Sequence, residues 1–432
     1  MRPNPIVLES ELTTYPDKLL ARWGDEAAKR KQADAPGLLD PYEGEYDFDA
    51  VVDRKDTNSL KFDFARERGV PEGLLPLWVA DMDFPAPKPV LDRLEALSRH
   101  GIFGYTEAKE DYYAAVAGWF ARRHGYEPKR QWLKKAPGVV FALAMAIRAL
   151  TEPGEAVLIQ TPVYYPFTGC CLDNDRVPVS SQLVLKDGRY EIDFDDFEKK
   201  LVEGRIRLFL LCNPHNPIGR VWTEEELKTM GELCLKHGCR IFSDEIHCDF
   251  VFPGHRHLVF GALAPELADL AIVATAPSKT FNLAGLQIAN LFVANPDLKS
   301  AISQEIRRTG YSQLNAMGLL ACQSSYERGE PWLDRLMAHL KGNLDYARDF
   351  IQKRLSPLKL IEPEGTYLLW LDCRALDLTP DELNRLILEK ARLWLDDGPI
   401  FGAGGEGFQR INAACPRKTL SEALERLAFA LA

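Results

Sequence analysis

The stretch "ATAPSKTFNLAGLQIAN", residues 274–290, places Lys279 just past the apolar run "LAIVATA". A lysine at the end of a buried strand needs a reason, because removing a charged amine from water is costly. Taken alone, Lys279 reads equally well as a surface lysine in a strand-to-helix loop. Set beside other groups, a buried amine can form a Schiff base with an aldehyde. Asp244, in "SDEIHCDF", offers a carboxylate able to keep a pyridine nitrogen protonated. Gly138, Val139 and Val140 stand where a helix opens after "APG", and the free N–H groups of a helix start bind phosphate. Tyr164, in "TPVYYPF", offers a ring for stacking, with Tyr165 as its rival. Each of these also has a plain structural reading as a strand-end cap, a helix start or a core aromatic.

What raises the chemical reading is the set of elements that would carry these residues. "AVLIQTP" (156–162), "IRLFLLCNPHNPIG" (206–219), "RIFSDEIHCDFVF" (240–252) and "LAIVATAPSKTF" (270–281) read as apolar strands. "GVVFALAMAIRAL" (138–150) and "TEEELKTMGELCLKHG" (223–238) read as helices. Thr223 with Glu226 makes a capping box for the second, and Gly238 is a stop. Strand and helix in alternation predict an α/β fold around a mostly parallel sheet covered on both faces. Ligands collect at the carboxyl ends of such strands. Asn213 to Gly219, Asp244 to His247, and Ser278 to Lys279 all fall there. Together the four functions describe a site for pyridoxal 5′-phosphate (PLP).

The rest of the composition narrows the alternatives. The chain has 432 residues, 46% hydrophobic and 27% charged, with a net charge of -10. This is enough for two domains with cores, and the acidic balance argues against nucleic acid as main partner. No apolar run approaches the roughly 20 residues that cross a bilayer. The start "MRPNPIVLESELTTYPDK" lacks the pattern of a signal peptide, so a cytoplasmic enzyme is expected. Nine cysteines without paired CxxC spacing are expected to be reduced thiols. The eight histidines form no HExxH pair; "HRH" at 255–257 could hold a metal but reads first as a solvated loop, and no metal is expected.

The motifs "CNPHNPIGRVWT", "SDEIHCDF", "APSKTFNLAGL" and "GFQRINAACPR" resemble those of fold-type I PLP enzymes, the class I/II aminotransferase superfamily. "YDFDAVVDRKDTNSLKFD", "LPLWVADMDFPAP" and "GIFGYTE" resemble its cystathionine β-lyase (carbon–sulfur lyase) branch, the MalY/PatB type. The resemblance runs from about Tyr46 to the C-terminus. It implies an aspartate aminotransferase-like fold, with residues 92–331 as the large PLP domain and 46–91 plus 332–432 as a smaller α/β domain. Residues 1–45 lie outside it and read as an N-terminal extension. "PWLDRLMAHLKGNLDYARDFIQKRL" would be the joining helix and "GTYLLWLDC" (365–373) a small-domain strand.

By the same resemblance, Lys279 is the Schiff-base lysine and Asp244 the partner of the ring nitrogen. Asn216 hydrogen-bonds the ring oxygen, and Tyr164 stacks on the ring. The amides of Val139 and Val140 past Gly138, with Ser278, hold the phosphate. Tyr105 reaches the phosphate in the other subunit, which makes the active unit a homodimer. Arg410 clamps the substrate carboxylate, with Arg417 as a rival better suited to a structural part. Two positions depart from the aminotransferase pattern: Gln287 replaces an arginine eight residues after the lysine, and His247 replaces a tyrosine three after the aspartate. Both match the lyase branch, and both leave less positive charge for the phosphate.

The resemblance implies β-elimination from cystathionine or another cysteine S-conjugate, giving a thiol, pyruvate and ammonia. The alternative is transamination of an amino acid or biosynthetic intermediate by the same residues. A regulator acting by protein contact, as some branch members do, is the third reading.

Overall fold

Apolar runs that lack a polar face form strands buried on both sides. The computed structural model describes residues 46–432; the expected extension at 1–45 lies outside them. In chain order the strands of the main sheet are β1 (Leu133–Ala136), β2 (Ala156–Ile159), β3 (Val177–Ser180), β4 (Leu208–Cys212), β5 (Arg240–Asp244), β6 (Ala271–Thr275) and β7 (Ala289–Val293). Their order across the sheet is β1-β7-β6-β5-β4-β2-β3. The neighbours from β3 to β6 pair in parallel. Only β7 runs against its partners β6 and β1. Every residue of β4, β6 and β7 is buried.

Two strands are shorter than their apolar runs suggest. β5 ends at Asp244, where the carboxylate accepts the Ile246 N–H at 3.1 Å and turns the chain. β6 ends at Thr275 because Pro277 opens a four-residue helix. Lys279 therefore sits on a helical turn rather than a strand.

The helices that matter here are α1 (Glu110–His124), α2 (Val139–Leu150), α3 (Glu224–Lys236), α4 (Pro277–Thr280), α5 (Ala316–Arg328), α6 (Glu330–Arg354) and α7 (Arg417–Leu431). α3 has the capping box read from sequence: Thr223 Oγ1 accepts from Glu226 N at 3.2 Å and Glu226 accepts from Thr223 N at 2.8 Å. α2 lays Ala142, Leu143, Ala146 and Ile147 on a core with Val157, Leu210, Phe242, Ile272 and Leu291. Each large side chain buried there contributes about 1.5–3 kcal/mol, and that packing fixes the start of α2 against the strand ends.

A second, antiparallel sheet holds β8 (Lys359–Ile361), β9 (Leu368–Asp372), β10 (Asp396–Asp397) and β11 (Phe408–Asn412) in the order β8-β9-β11-β10. The long helix and the strand read from sequence in this region are α6 and β9. A strap links the two sheets. Leu75 and Pro76 pair with Leu393 and Trp394, and Trp78 stacks on Trp394 at 4.5 Å. Asn412, at the end of β11, donates to the carbonyls of Val79 and Asp81 at 2.7 and 2.6 Å. Asn282, just past α4, donates to those of Met82 and Phe84 at 3.0 and 2.8 Å. All nine cysteines are free, including the adjacent Cys170 and Cys171. No helix among the described residues is long and apolar enough to cross a membrane.

Candidate active site

Lys279 lies on α4, and its amine donates to the carbonyl of Ala80 on the strap at 2.8 Å. Burial drives the amine down to about 8, with Arg410 acting in the same direction and Asp81 and Asp244 opposing. Asp244 ends β5, directly beside β4, whose following loop carries Asn216. Its carboxyl is pushed up to about 7, again by burial, because one backbone N–H and the nearby Lys279 do not replace water. The two groups thus share one low-dielectric space, and each is biased toward its neutral form.

Asn216 sits in the loop after β4. That loop closes tightly: Gly219 has φ +70, and a side chain there would put Cβ 2.8 Å from Pro363 Cβ. The Gly219 carbonyl accepts from Glu364 N and Gly365 N at 2.8 and 2.9 Å. Asn216 is buried, and its Oδ1 accepts from Arg410 Nη1 at 2.9 Å. Its carbonyl accepts from Tyr164 N at 2.9 Å, which ties the tyrosine loop to the asparagine loop.

Arg410 lies in the middle of β11, opposite Asp396 in register. It is 2% exposed. Nη2 donates to the Trp78 carbonyl at 2.8 Å and to the Asp396 carboxylate, while Nε is buried without a partner. A buried guanidinium with a spare donor is suited to a second carboxylate. Burial raises the Asp396 pKa, with Arg410 pulling the other way. Arg417, the rival, donates to Asn343 Oδ1 at 2.7 Å and covers the Tyr346 ring, a structural role.

Tyr164 is half-buried, with Tyr165 at 5.4 Å between ring centres; Tyr165 is the more exposed of the two. The Tyr164 hydroxyl is raised by burial, with smaller effects from Tyr165 and Asp244. Gly138 caps α2 without any side-chain hydrogen bond; Val139 is buried and Val140 is 41% exposed. Ser278 is half-buried beside Lys279. His247 is buried with Nδ1 unpartnered, and its pKa is driven well down by burial and by Lys279 and Arg410. Gln287 is exposed in a left-handed conformation, φ 48. Tyr105 is 95% exposed on the loop before α1.

Several participants carry no signal in sequence. The carbonyls of Trp78 and Ala80 are backbone acceptors. Tyr367 Oη donates to the same Ala80 carbonyl as Lys279, at 2.8 Å. Asp396 belongs to a two-residue strand. The one available hint was "ADMDF": Asp81 and Asp83 are held by Arg54 at 2.6 and 2.8 Å, and Asp83 by the fully buried Lys61 at 2.8 Å. Those ion pairs pin the strap on which Ala80 lies.

The family model for aminotransferase class I and II matches residues 74–427, and the chain belongs to that family. Among its relatives, cystathionine beta-lyase PatB of Bacillus subtilis is 42% identical over 384 residues, covering 89% of this chain and 99% of that protein. Protein MalY of Escherichia coli is 34% identical over 388 residues, covering 89% and 99%. The crystal structure of cystalysin from Treponema denticola, which contains pyridoxal 5′-phosphate, superposes with a TM-score of 0.86 at 38% identity, covering 89% of this chain and 98% of that one. The fold expected from the sequence, an α/β PLP-dependent transferase fold, is borne out.

Proposed function

We propose that this protein is a PLP-dependent carbon–sulfur β-lyase that cleaves cystathionine or a related cysteine S-conjugate to a thiol, pyruvate and ammonia. The observation that carries the reading is the buried amine of Lys279 beside the buried carboxyl of Asp244, both driven toward neutrality. Near-full-length similarity to a protein named cystathionine beta-lyase supports the lyase among the reactions of this family.

The residues fit the cofactor. A carboxyl raised to about 7 by burial suits a protonated ring nitrogen as its partner. A helix start with no side-chain cap suits a phosphate. When bound, PLP supplies an aldehyde for the amine and a ring that stabilises negative charge at the substrate Cα. Lys279 would hold the cofactor in the resting protein. The Lys279 amine is the group that would take the substrate Cα proton, a task suited to a group pushed down to about 8. The C–S bond then breaks with its electron pair on sulfur, and the proton held by Lys279 can pass to the leaving thiolate. Asp244 would keep the ring nitrogen protonated, Asn216 would bond the ring oxygen and Tyr164 would cover the ring. The amides of Val139 and Val140 past Gly138, with Ser278, would receive the phosphate. His247 stays neutral beside Lys279. Arg410 grips the substrate α-carboxylate and is oriented by Asn216, Trp78 and Asp396.

The same reading makes the active unit a cytoplasmic homodimer, with exposed Tyr105 reaching the phosphate held by a second copy. It also divides the chain into a large domain, 92–331, and a small one, 46–91 with 332–432. Thiol release from L-cystathionine, measured with and without an added keto acid, tests the reaction. Release independent of the keto acid is expected. Strict dependence on it would replace elimination by transamination.

A further inference from the structure

The turn that carries Lys279 is too short to be stable by itself. α4 has four residues, fewer than a self-supporting helix needs, and its start at Ala276 has no side-chain cap. Backbone bonds run from Phe281 N to Pro277 O and from Leu283 N to Ser278 O, each at 2.9 Å. These bonds shape the turn; side chains attach it to other elements. Asn282 ties its far end to the strap at the carbonyls of Met82 and Phe84. From the middle of the segment Thr280, fully buried, donates from Oγ1 to Asp249 Oδ2 at 2.7 Å. Thr280 directly follows Lys279, so any rotation of the turn moves both.

The acceptor is itself held from several sides. Asp249 lies past β5 and is buried. Its Oδ1 accepts from His124 Nε2 at 2.9 Å and from Trp119 Nε1 at 3.2 Å, both on α1. A carboxylate accepts, so Nε2 of His124 carries the proton. The His124 ring packs edge-on against that of His257 at 5.4 Å, and His257 Nε2 lies 2.9 Å from the fully buried Glu245. Trp119 stacks on Tyr326 of α5 at 5.4 Å. Burial pushes the Asp249 carboxyl up, but the bonds from His124 and Thr280 and the charge of Arg123 outweigh it and hold the group below its usual range. Asp249 is therefore an ionised acceptor in a fixed place, and hydrogen bonds to such an acceptor are the strong ones.

We propose that Thr280 is a positioning residue for Lys279: its bond to Asp249 sets the orientation of the turn, and with it the point from which the lysine amine reaches the cofactor. The hydroxyl does this, rather than the methyl group. The inference rests on Lys279 as the lysine that takes PLP. Without the hydroxyl, Asp249 Oδ2 is left buried and unpaired, and the turn loses its tie to the loop after β5. A shift of about 1 Å in a reacting group can slow a reaction about 100-fold.

The test is the rate at which the full-length apoprotein captures added PLP, followed by its visible absorbance. The kcat and KM for L-cystathionine are measured beside it. Thr280→Val removes the hydroxyl and keeps the shape; Thr280→Ser keeps the hydroxyl and removes the methyl. Thr280→Val should slow capture and lower kcat by at least about tenfold each, with KM changed less than about twofold, while Thr280→Ser stays within about threefold of the unaltered protein in both rates. Thr280→Ala should match Thr280→Val and takes its place if that variant fails to fold. Equal losses in Thr280→Ser and Thr280→Val would make the residue a packing group and overturn the proposal. So would capture by Thr280→Val at the unaltered rate. Lys279→Ala, expected to give no band, is the control: a band there would overturn the assignment of the lysine itself. Capture of PLP precedes the reaction, so the result does not depend on whether elimination or transamination follows.

Discussion

Asp396 is the one carboxylate bonded to Arg410 among the described residues. Both side chains are nearly inaccessible, at 2% for Arg410 and 6% for Asp396. The other bonds of the guanidinium, to Asn216 Oδ1 and the Trp78 carbonyl, are to neutral acceptors. Asp396→Asn keeps the volume and one acceptor but removes the countercharge. Breaking a buried pair from one side costs about 3–5 kcal/mol. Because the amide still accepts a neutral hydrogen bond, the lower end applies, about 3 kcal/mol. A ligand carboxylate would restore the missing charge. Glycine, which has no Cβ leaving group, should therefore stabilise the variant more than the unaltered protein, since ligand binding adds RT ln(1 + [L]/Kd). Equilibrium urea unfolding of the cofactor-loaded protein, with and without glycine, measures both effects. A loss below about 1 kcal/mol would show that Asp396 does not carry the charge balance of Arg410. A smaller glycine effect in the variant than in the unaltered protein would refute Arg410 as the carboxylate clamp.

Further expectations concern the cofactor pocket. The raised pKa of Asp244 means the folded apoprotein holds a proton that the unfolded chain has released. Stability from this group is present below pH 3.8 and lost as pH rises toward about 7, by about 4 kcal/mol in all. Asp244→Asn should flatten that part of the apoprotein's stability profile and lower turnover at least about 100-fold through loss of the ring's countercharge; an unchanged profile would remove the burial argument. Gly219→Ala should destabilise by about 1–3 kcal/mol, since Cβ would meet Pro363 at 2.8 Å in a left-handed backbone, and thermal unfolding reads this directly. Arg410→Ala should raise the KM for L-cystathionine more than it weakens retention of PLP; the reverse order would assign the arginine to the cofactor.

The parts of the site that were legible in sequence share a position. Lys279, Asp244 and Asn216 each stand at the end of an apolar run, so the parallel-sheet rule gathers them before any coordinates exist. What the pattern misjudged was where strands stop. The run through Phe252 is apolar past Asp244, and only the carboxylate's bond to Ile246 N ends β5. Backbone acceptors such as the Ala80 and Trp78 carbonyls leave no mark in residue identity. Asp396 is invisible for a different reason: it meets Arg410 through a strand too short to show period-two alternation. In sequence "HRH" reads first as a solvated loop, which fits the exposed His255 but not the buried His257. His124, its neighbour in space, lies far away in the chain. Tyr105 remains exposed within one chain, and its expected role belongs to contact with a second copy.

The most direct measurement of the central claim is pyruvate released from L-cystathionine by the PLP-loaded protein, with no keto acid present, beside the Lys279→Ala variant. Sustained release by the unaltered protein and none by the variant is the predicted result. Equal release by both, or none from a protein that retains its PLP, would contradict elimination driven by Lys279.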